Sequence, residues 1–389
     1  MTPAPTLPGF VFSSVGHLFR GPLTYWLWVL LLLALIAVGG WYYFLQLRDG
    51  LVVTNMTNQV SWGFYISNFT FLVGVAAAAV MLVVPAYIFH RRDIKDVVLM
   101  GDTMAIAAVT MAILFVVVDL GRPDRFWHLI PGIGRFNFPE SMLAWDVIVL
   151  NGYLLLNFGI SFYIVYNHYR GQDPKASRYF PWVLLAIFWA ISIHTVTAFL
   201  YSANSGRPYW HNALLAPRFI ASAFASGPAM MALGLQIIRA ISDYPIRQSV
   251  INHLALVATI ALQVTLFFLL AELFTEFYNE GEHAASARYL FLGLDGHTGL
   301  TPWIWTAVVL LMIAVVILSL IAAIAIPAYR GYIQESRYGT ALQDMRQMQL
   351  ILDDLAIDNE LDDFDASTGP RHWGEQSRAR RKQGARSRK

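Results

Sequence analysis

The chain of 389 residues contains no cysteine. That absence excludes thiolate ligation of an iron–sulfur cluster, CxxCH attachment of haem, structural disulfides and cysteine-based nucleophilic catalysis. Charge is scarce as well. Asp, Glu, Lys and Arg make up 13% of the residues, about half of the ~25% usual in a soluble domain. The net charge is +2, but 11 of the 27 Lys and Arg fall in the last 60 residues. The N-terminus MTPAPTLPGFVFSSVGHLFRGP lacks the charged start, short apolar stretch and cleavage site of a signal peptide, so it reads as a retained cytoplasmic lead-in.

What the sequence does have is apolar length. Hydrophobic residues make up 57% of the chain and the mean hydropathy is +0.51. A hydrocarbon core needs roughly 20 apolar residues of helix to cross it. Eight segments qualify: 25–45, 66–88, 100–119, 143–167, 181–202, 214–238, 250–274 and 303–328. Lipid offers the backbone no hydrogen-bond partner, so each must be helical. Tyr25, Trp26, Trp62, Trp127, Trp182, Trp210, Trp303 and Trp305 gather at the ends of these runs, where amphipathic rings settle at the headgroups. The expected architecture is an all-α integral membrane bundle of about eight transmembrane helices. It has a lead-in (1–24), a bundle (25–328) and a charged tail (329–389) that is partly helical and then solvated. The distribution of Lys and Arg between alternate loops is nearly even, so the basic tail decides the orientation: N-in, with the tail cytoplasmic beside anionic lipid.

On that orientation the outer loops are the long, individually patterned ones: 48–65, 121–141, 202–214 and 274–302. Ionisable groups inside a span are costly and mark functional candidates. Asp119, Asp146, His194, Arg218, Glu272 and Glu276 come from five spans and all lie toward the outer side. One reading is interhelical pairing, for example Asp119 with Arg218 or with Arg122. The other is chemistry. A quinone exchanges two electrons and two protons, so it needs donors at its carbonyl oxygens and a titratable relay to water, which a buried His and carboxylates supply. Asp119, Asp146, Glu272 and Glu276 are the carboxylate candidates for that relay and His194 its imidazole, with Arg218 as a candidate donor at the headgroup. Bis-His haem ligation needs two intramembrane histidines at one depth. Only His90 with His253, near the inner side, approaches that, so no haem is expected in this chain. Electrons are then expected through a partner docked on the outer loops, with Arg122, Arg207 and His211 as contacts. No nucleic-acid partner is expected.

Longer strings carry a resemblance. SWGFYISNFTFLVGVAAAAVMLVVPAYIFHRRD, VVVDLGRPDRFWHLIPGIGRFNFPESMLAWDVIVLNGYLLLN and SANSGRPYWHNALLAPRFIASAFASGPA closely resemble the NrfD/PsrC family of polysulfide-reductase-like membrane subunits, nearest to HmcC/DsrP-type members of sulfur-metabolising bacteria. The likeness runs from about Trp26 to Trp305 and fades after about Ser319. It implies a cofactor-free quinone-interacting subunit (menaquinone or ubiquinone) in the bacterial inner membrane. It implies an extracytoplasmic ferredoxin-like iron–sulfur partner as well. In a Dsr-type complex a multihaem cytochrome c and further membrane–cytoplasmic subunits join it. It also implies a quinone site on the iron–sulfur side, drawing on Trp62, Tyr65, Asn68 and His194. Some relatives carry a His–Asn pair where this sequence has Ile66 and Phe69, so that pair is not carried over. Ser222, Ala225, Ser226 and Gly227 are small enough for close helix packing ahead of Pro228. Members of this type are expected to have ten helices; AAIAIPAYRGYIQ is similar to the end of a type IV pilin helix, but without the pilin leader motif it reads as a chance likeness of an Ala/Ile-rich segment.

Two other functions remain open. A proton-translocating module predicts a polar chain to the inner face, with Asp102, Asn151, Asn157 and Gln263 as its candidates. A passive anchor for the iron–sulfur subunit needs no buried charge.

Overall fold

The computed structural model describes residues 6–57, 60–89, 91–278, 281–320, 323 and 345–348. The expected tail, apart from 345–348, lies outside the described residues, as do His90 and most of 321–328. The described part is helical, and eight of its helices are long and apolar enough to cross a membrane. A short helix, α1 (Leu7–Leu18), comes first, capped by the Thr6 side chain on the Gly9 amide. The spans are α2 (Leu23–Asp49), α3 (Phe64–Ile88), α4 (Val98–Asp119), α5 (Met142–Tyr169), α6 (Ala176–Ser202), α7 (Leu215–Ile241), α8 (Gln248–Tyr278) and, after the short helix α9 (Glu282–Phe291), α10 (Thr301–Leu320). Each coincides with one of the eight apolar runs. Successive spans alternate in direction, so one end of the bundle gathers the long connections and is here termed the loop-rich face.

The bundle is built around α3. In its most apolar window 61% of residues are buried, against none in α2 and α10, whose large side chains face outward. Phe69, Val73, Ala76, Ala77 and Ala78 are almost fully enclosed, because α4, α6 and α7 all pack on this helix. Small residues allow that approach. A Cβ on Gly227 of α7 would fall 2.6 Å from the Ala78 amide nitrogen, so the two backbones touch there. Of the small residues 222–227 it is Gly227 that admits this approach, and α7 runs as one helix through Pro228.

α3 is not regular. It breaks at Ala77 and ends in a π turn, Val84–Ile88, that contains Pro85. Pro85 has no N–H, so the Met81 carbonyl one turn earlier loses its helical partner. His253 of α8 hydrogen-bonds that carbonyl. His253 thereby has a structural task. At Ala77 the amide turns to the Gly74 carbonyl at 3.2 Å, which leaves the Val73 carbonyl without its usual i+4 donor. Tyr153 of α5 donates to the Ala76 carbonyl at 3.1 Å. A mid-membrane break is tolerated because side chains from neighbouring helices take up the released backbone groups.

Candidate functional site

The six ionisable groups do lie toward one face, but they form three separate systems. The first joins α7 and α8. Arg218 opens α7, and its guanidinium forms an ion pair with Glu272, a carboxylate only 1% exposed. The hydroxyl of Tyr209, from the loop before α7, bonds the same guanidinium. Burial raises the Tyr209 phenol above its ordinary range, although the adjacent Arg218 charge pulls it the other way. One turn along α8, Glu276 sits 3.5 Å from Nδ1 of His283 in α9.

The second system joins α5, α6 and α3. His194, Thr197 and Tyr201 are three, four and seven residues apart, hence on one face of α6. Thr197 donates to the carboxylate of Asp146 at 2.9 Å. Tyr201 shares a short hydrogen bond with Thr70 of α3. His194 is buried; its Nδ1 lies 2.5 Å from the Ala190 carbonyl. Its ring also lies against the Val73 backbone at the break in α3, where Nε2 makes no hydrogen bond of good geometry.

The third joins α2, α3 and α4. Gln46, the buried residue of α2, donates to the Val118 carbonyl at 2.7 Å and accepts from Tyr65 at 2.8 Å. Asp119 ends α4 beside them, with one buried carboxylate oxygen lacking a hydrogen bond. Neither suggested partner of Asp119 is its partner: Arg218 pairs with Glu272, and Arg122 pairs with Asp124 at 2.8 Å on the exposed surface.

Between the first two systems, at the loop-rich face, lies a cavity of about 500 Å³. Trp62, Arg207, Tyr209, Trp210 and Tyr289 contribute to its walls. Trp62 and Trp210 stack with centroids 5.7 Å apart, and Tyr201 meets both rings edge-on at 5.4 and 5.2 Å. Tyr201, one turn along α6 from Thr197, thus stands between the cavity wall and the Thr197–Asp146 pair, and Tyr209 joins the wall to Arg218 of the Arg218–Glu272 pair. A second, apolar groove of about 690 Å³ runs between α6, α7 and α8, lined by Thr195, Pro217, Phe224, Ile260 and Phe268.

Of the residues singled out in the sequence, Trp62 and Arg207 line the cavity and Arg218 stands directly behind it. His194 and Asp146 lie behind Tyr201. Tyr65 and Asn68 spend their polar groups elsewhere, Tyr65 on Gln46 and Asn68 on the Phe64 carbonyl at 2.8 Å. His211 bonds the Ser202 carbonyl at 2.7 Å and is exposed. Tyr209 was not among the candidates, although it stands inside GRPYW, between two residues that were. Gln46 was missed too; the signal was a lone amide in an otherwise apolar run. Among the described residues no group of three or more His, Asp or Glu is placed to hold a metal ion.

A family model described as "Polysulphide reductase, NrfD" matches residues 52–337. The chain belongs to the NrfD family. The match starts after the first span, later than Trp26, and continues past Ser319, so the pilin-like string AAIAIPAYRGYIQ lies inside it. Among similar proteins, a putative dimethyl sulfoxide reductase membrane subunit of Halobacterium salinarum is 32% identical, over 57% of this chain and 52% of its own. An Hdr-like menaquinol oxidoreductase integral membrane subunit of Archaeoglobus fulgidus is 26% identical, over 69% and 64%. A selenate reductase subunit of Mesobacillus selenatarsenatis is 22% identical, over 66% of each chain. The NrfD-family chain thus spans between half and two thirds of the length of these relatives. Its eight apolar helices and this family make it a multi-pass membrane protein.

Proposed function

We propose that this chain is the quinone-exchanging membrane subunit of a respiratory oxidoreductase complex in the bacterial inner membrane. The observation that carries the reading is the aromatic cavity at the loop-rich face, with Tyr209 of its wall bonded to Arg218 of the buried Arg218–Glu272 pair and with the Thr197–Asp146 pair one turn behind Tyr201. A quinone ring suits the Trp62–Trp210 wall by offset or edge-on stacking. Tyr209 and Arg207 supply donors at the carbonyl oxygens. Tyr201 leads to Asp146 and His194, and Arg218 leads to Glu272 and Glu276, as routes for the two protons. The isoprenoid tail suits the apolar groove, which reaches the loop-rich end of α7 at Pro217, next to Arg218. A relative whose name includes menaquinol oxidoreductase agrees with this substrate class.

Electrons then pass between the cavity and an extracytoplasmic iron–sulfur subunit docked on the loop-rich face, with Arg122, Arg207 and His211 among its contacts. A multihaem cytochrome and further membrane–cytoplasmic subunits complete such a complex. The test is purification of the intact complex with bound quinone, followed by quinol-dependent electron transfer in variants. Trp62→Ala and His194→Ala are each expected to lower turnover by ~100-fold or more, the scale of a lost proton-transfer or positioning group. Wild-type turnover in both variants, or a complex without quinone activity, would sink the reading.

A further inference from the structure

The polar groups do not stop at the loop-rich half. On α5 the residues Asp146, Tyr153, Asn157 and Ser161 stand zero, seven, eleven and fifteen positions apart. At 100° per residue they fall within an arc of about 80°, and at 1.5 Å per residue they extend over about 22 Å of helix. All four are buried, so a single polar stripe of α5 runs through most of the membrane inside the bundle. A structural role for one such group is ordinary, but four on one stripe with polar partners on three neighbouring helices is not.

Those partners form two segments. Toward the loop-rich face stand Asp146, Thr197 and His194. Toward the opposite face, Ser161 donates to the carboxylate of Asp102 on α4 at 3.3 Å. Asp102 is 3% exposed, yet it lines a cavity of about 580 Å³ whose other walls include Tyr87, Tyr179, Lys95, Asp96 and His168. That cavity lies at the face opposite the aromatic one, where the connections before α4 and after α5 run. The two segments meet at the break in α3: His194 lies against Val73, while Tyr153 bonds the Ala76 carbonyl three residues later, a rise of about 4.5 Å. Asn157, one turn further down, donates to the Tyr153 backbone carbonyl, and Ser161 stands one turn below it on the same stripe. Of the four residues the sequence offered for such a chain, Asp102 and Asn157 belong to it. Asn151 is exposed and bonded to its own helix, and Gln263 bonds Ser319 of α10.

We propose that Asp102 is the proton port of a buried route that links the quinone site to the face opposite it, by way of Ser161, Asn157, Tyr153 and the α3 break to His194 and Asp146. This rests on the quinone reading above and adds the side from which protons come. When a quinone takes two electrons from the partner subunit, its oxygens take two protons. The proton drawn from the Asp146–His194 side is replaced through water lying between these groups, an O–H breaking at one oxygen as another forms at the next, ending with uptake by Asp102 from the cavity. In quinol oxidation the same hops run in reverse and release protons there. Electron and proton then arrive from opposite faces, which makes quinone turnover move charge across the membrane.

Two measurements test this separately from the quinone reading. The chain has no native cysteine, so Val98→Cys and Ile164→Cys, both on the cavity wall, each introduce its one thiol. In the intact complex in vesicles, a membrane-impermeant thiol reagent is expected to modify them from the face of Lys95 and Asp96 alone; a thiol unreactive from that face overturns the port. The second reads pH on each side of proteoliposomes during quinone turnover. Wild type is expected to change pH on the Asp102 side, and Asp102→Asn to lose that change and slow turnover tenfold or more with bound quinone retained. Asp102→Glu is expected to restore both in part. An unchanged proton yield in Asp102→Asn overturns the route, whereas a complex without any quinone turnover strikes the proposed function and leaves the thiol result to decide the port.

Discussion

Glu272 is almost wholly enclosed, and the guanidinium of Arg218 is what makes a charge at this depth tolerable. Removing one partner strands the other, a change that costs about 3–5 kcal/mol for a buried pair. The lower figure applies here because the Arg218 side chain is 28% exposed. Glu272→Gln and Arg218→Gln are therefore each expected to lower the thermal unfolding temperature of the purified protein by several degrees. Arg218→Met combined with Glu272→Leu is expected to recover most of the loss. Equal unfolding temperatures for wild type and both single variants would show that the pair contributes nothing to stability. His194 needs a different readout, because burial against Val73 gives it a packing role beside a chemical one. His194→Asn, which keeps a donor near the break, should retain the fold while quinone turnover falls.

At the scale of elements the decisive contact is the crossing of α3 and α7. Gly227 admits the backbone at Ala77 and Ala78 so closely that any side chain forces the helices apart. Gly227→Ala is expected to cost about 1–3 kcal/mol, the usual range for an overpacked core, seen as a lower unfolding temperature and poorer yield from membranes. An unfolding temperature within error of wild type would mean the crossing is looser than the backbone distance indicates.

A second element contact closes the opposite end. Asp93, ahead of α4, accepts from Arg91 and, at 2.8 Å, from Ser249 in the first turn of α8. Burial pushes the Asp93 carboxyl up, but these hydrogen bonds outweigh it and hold the group below its ordinary 3.8. A carboxyl with a depressed folded value contributes stability above its unfolded value and loses it as pH falls through the folded one. The destabilisation by Asp93→Asn is therefore expected at neutral pH and expected to vanish in acid, once the pH falls through the depressed folded value of Asp93. A difference that persists undiminished in acid would assign the effect to packing instead.

Over the whole molecule, orientation in the membrane is the property on which partner and proton direction both depend. N-in places the loop-rich face outside. With Ser205→Cys and Gln172→Cys, each carrying the chain's single thiol in an exposed loop at one of the two faces, an impermeant maleimide is expected to label Ser205→Cys in intact spheroplasts and Gln172→Cys only after lysis. The reverse pattern would turn the molecule over and put the iron–sulfur partner on the cytoplasmic side. α2 and α10 lie at the rim with their apolar residues facing outward, so lipid or another subunit's helices meet them first.

Composition and run length alone determined that this is an all-α membrane bundle, with eight spans among the described residues, because a bilayer leaves an apolar segment of that length no other way to satisfy its backbone. The one-sided placement of Asp119, Asp146, His194, Arg218, Glu272 and Glu276 was legible too, since depth along a span follows from position. Which of them meet was not. Spacing fixes the face of one helix but not the rotation of its neighbours, so only the packed bundle joined Arg218 to Glu272 and Thr197 to Asp146, and left Asp119 with Gln46 and Tyr65 nearby. The break at Ala77 was hidden for the same reason, as no Gly or Pro stands there to announce it. Gly227 of a distant segment packs on that backbone and Tyr153 donates to the Ala76 carbonyl beside it, and tertiary contact alone decides both.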